Sequence, residues 1–158
     1  MDAQAAAASP LSPAMQGAKR LLEQGIAFVK NAGFEVEQLE RGLARCRMPF
    51  KGNANHIGTM YAGALFTLAE MPGGALFLSS FDAAKFFPVV KAVNLKFIKP
   101  AKGDVWVTAR LSEEEIVRIE REATAQGKSN FTLTLELTDA AGTVLASSEG
   151  HYQLRRVA

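Results

Sequence analysis

Asn55-His56-Ile57-Gly58-Thr59-Met60-Tyr61-Ala62-Gly63-Ala64-Leu65-Phe66-Thr67-Leu68-Ala69-Glu70 is the stretch from which the fold is read. A polar loop containing a glycine gives way at Thr59 to a run that stays largely apolar as far as Ser80. A helix that is apolar on nearly every face belongs inside a protein, so the run predicts a central helix over 59–80 wrapped by the rest of the chain. Pro72, followed by Gly73-Gly74, predicts a kink in it, because proline removes a hydrogen bond and crowds the carbonyl of Leu68. Glu70 is the only charged side chain between Lys51 and Asp82. A carboxylate on such a helix costs free energy unless something offsets it, and functional sites are where that cost is tolerated.

Working outward, the preceding segment opens with Ser12-Pro13, a capping serine and a proline at the first helical position. Met15, Ala18, Leu22, Ile26 and Val29 follow at helical spacing, and Gly33 supplies the stop, which predicts one helix up to that glycine. Phe34–Glu37 and Leu43–Met48 alternate apolar and polar residues around Glu40-Arg41-Gly42 and predict a hairpin. Beyond the central helix the period is again two, through Val93, Leu95 and Phe97 and then from Val105 to Leu111. Ser112-Glu113-Glu114-Glu115 is a capping-box sequence, so 113–125 is expected as a solvated helix ending before Gly127. Phe131 to Leu137 and Thr143 to Leu154 complete the strands. Alternating strands with short connections around one buried helix predict an α+β fold with an antiparallel sheet.

The chain has 158 residues, 48% of them hydrophobic and 22% charged. That length suits one domain, expected over 13–158 after a disordered tail at 1–12. The alanine-rich start lacks the basic residues of a secretory signal, and no stretch reads as membrane-spanning, so a cytoplasmic address without membrane association is expected. Eighteen Lys plus Arg against sixteen Asp plus Glu leave a charge of +2, which does not point to nucleic acid. One cysteine, Cys46, precludes an internal disulfide, and two histidines, His56 and His151, supply no zinc-ligand spacing. No metal is expected. The phosphate loop, the dinucleotide fingerprint and the Gly-x-Ser-x-Gly elbow are all missing.

The chemistry that remains is that of the opening stretch. The first N–H groups of a helix lack intrahelical partners and carry partial positive charge. Gly63 is small enough for a ligand carbonyl to approach that backbone, which is how an oxyanion is stabilised.

The stretch resembles the hotdog-fold acyl-CoA thioesterases, in particular the phenylacetate-pathway type and its less characterised relatives. Asn55, Gly58-Thr59, Tyr61-Ala62-Gly63 and Leu68-Ala69-Glu70 stand in the register of the family's asparagine, Gly-Thr, His-Gly-Gly-like helix start and Leu-Ala-Asp. Val93 to Ala101, followed by Gly103-Asp104, resembles the strand after the helix. The resemblance spans about residues 42–154. It implies a curved antiparallel sheet around one long central helix, assembled as a homodimer or a dimer of dimers. Glu70 stands where the family has aspartate, and Tyr61 where it has histidine. The implied activity is hydrolysis of an acyl-CoA, with an aliphatic or aryl acyl group and coenzyme A entering only as part of the substrate. Gly63 N–H, assisted by Asn55, would polarise the carbonyl, and Glu70 would act as general base or nucleophile. Tyr61, Thr67, His56, Lys96 and Lys99 are the expected substrate-binding residues. A non-catalytic acyl-CoA or lipid-binding hotdog protein is the rival expectation, since a fold can be kept while its chemistry is lost.

Overall fold

The computed structural model describes residues 10–158, so most of the expected tail lies outside the described residues. Leu11 packs against the core, and the Ser12 hydroxyl accepts a hydrogen bond from Met15 N–H at 3.3 Å, opening α1 (Pro13–Gln24). The single helix expected up to Gly33 is two: the backbone turns extended at Ile26, and α2 (Ala27–Ala32) follows. In one straight helix Ile26 and Val29 would share a face. The break separates them, leaving Ile26 54% exposed while Val29 is buried in the core.

The hairpin forms as its alternation predicts, with β1 (Glu35–Glu40) and β2 (Leu43–Met48) joined at Arg41-Gly42. The loop that follows is fastened at several points. Asp104 accepts from Phe50 N–H at 2.8 Å and from Arg47 at 2.5 Å, while Asn53 Nδ2 donates to the Ala32 and Pro49 carbonyls at 2.7 and 2.8 Å. Met60 N–H goes to the Ala101 carbonyl and Tyr61 N–H to that of Asn53, which keeps the chain extended there. The central helix α3 therefore runs over Ala62–Ser80 and starts three residues later than the apolar run suggests. It continues as one helix through Pro72.

After α3 come β3 (Phe86–Phe97), β4 (Val105–Arg110), α4 (Glu113–Gln126), β5 (Lys128–Thr138) and β6 (Val144–Arg156). The capping box of α4 is formed, with Ser112 and Glu115 each satisfying the other's backbone N–H. All six strands join one sheet in the order β1-β2-β4-β5-β6-β3, every neighbouring pair antiparallel. β3 is twice as long as the segment expected from its alternation, and among the described residues it is an edge strand paired only with β6.

The sheet wraps α3, which touches all six strands. By length and composition α3 would pass for a membrane span, but 13 of its 19 residues are buried by the sheet and by α1. This is the expected α+β hotdog architecture. One stripe of the helix escapes the wrapping: Ala62 and Phe66 are exposed, and Gly63 and Glu70 are half-buried. That stripe faces the uncovered side next to β3 and carries the candidate chemistry.

Candidate active site

Glu70 lies in a groove of about 440 Å³ between α2, α3 and β3. Ile26, Phe28 and Val29 form one wall, Phe66, Thr67 and Met71 the floor beside Glu70, and Val90 to Val93 the opposite wall. Among the described residues no side chain or backbone N–H donates a hydrogen bond to its carboxylate. The Thr67 hydroxyl, one turn earlier, donates instead to the Gly63 carbonyl at 2.8 Å. Burial with no compensating donor pushes the Glu70 pKa above the usual carboxylate value. A carboxyl group so placed is a better proton acceptor than an ordinary surface glutamate.

At the other end of the exposed stripe the helix opens without a side-chain cap. The N–H groups of Ala64 and Leu65 turn back to the Tyr61 carbonyl, whereas those of Ala62 and Gly63 have no acceptor among the described residues. The Tyr61 ring lies against Gly63, so closely that an added Cβ would sit 2.4 Å from it. Any larger residue at 63 would have to push this exposed tyrosine ring aside. Seven residues separate Gly63 from Glu70, about 10 Å along the axis.

Asn55 and Lys99 line a second groove, about 320 Å³, beside Ala62, Leu65 and Phe97. The Asn55 side chain is occupied with its own loop. Its Oδ1 accepts from the N–H groups of Ile57 and Thr59 at 3.0 and 3.1 Å, and its Nδ2 donates to the Thr59 hydroxyl at 2.9 Å. What the structure shows for Asn55 is the shape of the helix entrance. His56 is exposed at the tip of that loop, and Lys96 is exposed on β3; neither lines the two grooves. The expected residues therefore divide, with Glu70 and Thr67 in one groove and Asn55 and Lys99 in the other.

Other reactive side chains are placed elsewhere. Cys46 is fully buried, and burial, reinforced by Glu23 and Glu37, pushes its thiol up to about 12, which leaves no thiolate for nucleophilic work. His151 is exposed, with its ring nitrogens beside Thr132 Oγ1 at 3.2 Å and Glu149 at 2.8 Å.

Two residues outside the motif come near Glu70, Lys91 in the groove wall and Tyr152 beneath the helix. Lys91 occupies the bulge in β3, between the positions where Val90 pairs with Tyr152 and Ala92 with His151. A bulge re-aims side chains beside a site. Tyr152 rises from β6 beneath the helix, and its hydroxyl donates to the backbone carbonyl of Glu70 at 3.3 Å. Neither belongs to the 55–70 motif; only strand pairing brings them to it.

Comparison with known proteins follows the same outline. A crystal structure from Pseudomonas aeruginosa, of a protein of unknown function named a probable thioesterase, is 54% identical over 96% of this chain and 100% of its own, with a TM-score of 0.88. A protein of unknown function from Chlorobaculum tepidum shares the fold at 17% identity, covering 90% of this chain and 94% of its own, with a TM-score of 0.77. A thioesterase from Haemophilus influenzae does so at 12%, over 94% and 93%, with a TM-score of 0.71. No curated protein matches the chain. The model of the family described as a domain of unknown function, DUF4442, matches residues 16–154, and with that match and the wrapped central helix the chain belongs to this family of hotdog-fold proteins.

Proposed function

We propose that the protein hydrolyses acyl-CoA thioesters at a site completed by two copies of the chain. The observation that carries this reading is Glu70: a half-buried carboxylate with a raised pKa and no donor, on the floor of an apolar groove. The groove suits an aliphatic or aryl acyl group, and the free N–H of Gly63 suits the carbonyl oxygen. The probable thioesterase from Pseudomonas aeruginosa, at 54% identity, supports the reaction class.

In the hydrolysis Glu70 takes a proton from water as the water oxygen bonds to the thioester carbon. The oxyanion so formed is held by helix N–H groups, and its collapse breaks the C–S bond, the CoA sulfur leaving with a proton. Alternatively the carboxylate attacks the thioester carbon, the C–S bond breaks as the CoA thiolate leaves, and water hydrolyses the resulting anhydride to the free acid and Glu70. Gly63 and Glu70 of one helix are too far apart to touch one carbonyl. Two central helices running antiparallel about a two-fold axis bring Gly63 of one chain to Glu70 of the other and make two equal sites. The division of the expected residues between two grooves suits this arrangement. The apolar edge of the molecule also suits it: Tyr61, Phe66, Val90, Phe97 and Ile98 are each more than 40% exposed. Lys91, Lys96, Lys99 and Lys102, which have no acid partner among the described residues, are available to the phosphates of coenzyme A.

The test is a panel of acyl-CoA thioesters assayed with a thiol-trapping dye, run on the wild type and on Glu70→Gln. Thiol release that requires Glu70 is expected. Saturable binding without release would overturn the reading in favour of a non-catalytic acyl-CoA-binding protein.

A further inference from the structure

Tyr152 is seated with more provision than a core side chain needs. Its ring lies between two glycines from different elements. A Cβ at Gly73, on α3, would come within 2.3 Å of the ring, and one at Gly150, on β6, within 2.5 Å. On a third side Phe131 of β5 stacks on it at 5.6 Å between ring centres. Any other residue at 73 or 150 would have to displace the ring, so the two glycines and the tyrosine form one unit. The unit delivers the phenol to a single place, the backbone carbonyl of Glu70.

Two features make that place sensitive. Pro72 has no N–H, so the carbonyl of Leu68 loses its helical donor in the turn that carries Glu70. A turn short of one hydrogen bond is held less firmly, and the tyrosine hydroxyl fastens it from below. Tyr152 also pairs directly with Val90 across the strands, and Val90 is in the wall facing Glu70. The tyrosine thus ties the floor of the groove to its wall.

Resting on the thioesterase reading above, we infer that Tyr152 is a positioning residue that sets the orientation and proton affinity of Glu70. Burial, together with the negative charge of Glu70, pushes its phenol up to about 12, so it stays a protonated donor throughout the working range. Its O–H dipole is a fixed polar group in surroundings that otherwise disfavour a charged carboxylate. Among the described residues, Lys91 from β3 is the other titratable side chain lining the groove; α2 presents Ile26, Phe28 and Val29, and Leu22 of α1 lies against Gly74, one turn beyond Glu70. Removing the hydroxyl makes the surroundings more apolar, which raises the carboxyl pKa further.

Tyr152→Phe keeps the ring between its glycines and removes only the hydroxyl. In the full-length protein, kcat is expected to fall about 3- to 10-fold, the worth of one neutral hydrogen bond, with KM nearly unchanged. The rising limb of kcat against pH is expected to move to higher pH. A loss of melting temperature with kcat and the pH limb unmoved would make Tyr152 a packing residue and overturn the inference. The carboxyl carbon of Glu70, followed by NMR against pH without substrate, reads the same titration. An upward shift there in Tyr152→Phe supports the inference even if no acyl-CoA is turned over, and an unmoved titration overturns it. Absence of turnover in the wild type would count against the thioesterase reading alone.

Discussion

At the scale of single residues, the decisive quantity is the cost of keeping Glu70 charged. Its folded-state pKa lies above the unfolded value because burial disfavours the carboxylate. The folded protein therefore binds that proton more tightly than the unfolded chain, and stability falls as pH rises from the unfolded carboxyl value through the folded one. Glu70→Gln removes this penalty. It is expected to melt higher than the wild type at pH 7, and the difference should vanish in acid below about pH 4, where both states are protonated in the wild type. In the same preparation turnover should drop roughly 10²-fold or more, as for loss of a positioned general base. Turnover that falls only in step with unfolding would make the residue structural. Asp104 works in the opposite sense. The Phe50 N–H, and then Arg47, hold its carboxyl below the usual range, so its contribution is present at neutral pH and lost on acidification.

At the scale of elements, the fold depends on how each helix is started. α4 owes its entry to Ser112 and Glu115, which satisfy two N–H groups reciprocally. Ser112→Ala should cost about 1 kcal/mol, read as a lower denaturant midpoint with an unchanged m-value, and should leave thiol release as it was. α3 is the counterexample. It opens with no cap, and the groups left free at Ala62 and Gly63 are those that the proposed chemistry uses. On the proposed reading, the site is built by omitting a stabilising contact. The same element shows what periodicity reads well and what it does not. A largely apolar run identified the buried helix, but its first residue was decided by Ala101 and Asn53, whose carbonyls hold Met60 and Tyr61 extended. The break between α1 and α2 had no signal in the spacing of apolar residues.

At the scale of the whole molecule, β3 is a twelve-residue edge strand with apolar residues and, among the described residues, no neighbour on its outer side. An open apolar edge is a liability in a lone protein. If two copies complete the site, specific activity per chain should fall on dilution in parallel with the molecular mass measured by sedimentation. A monomer with full activity would disprove the shared site. Charge belongs to this scale too. Should the unpaired lysines on β3 and the loop after it meet phosphates, KM for acyl-CoA should rise with added salt, since exposed charges are screened over about 10 Å at 0.1 M. A KM indifferent to salt, or equal to that for a thioester lacking the nucleotide, would remove the lysines from the site.

What the sequence determined by itself was local or periodic. The alternating strands, the capping serines at 12 and 112, the turn at Arg41-Gly42 and the buried helix with its lone carboxylate all follow from short-range sterics and from the partition of apolar side chains. Together they suffice for a sheet around a helix. Tertiary structure decided what depends on residues far apart in the chain. It turned Asn55 inward to its own loop, placed Lys91 on a bulge in the wall facing Glu70, and extended β3 along β6 well before its alternation begins. It also brought Gly73 and Gly150 to either side of Tyr152. Each glycine alone looks like a weak spot in a helix or a strand. Only when α3 lies on β6 do the two become a slot of one ring's width, because close packing makes the room at one residue conditional on another that the sequence keeps far away.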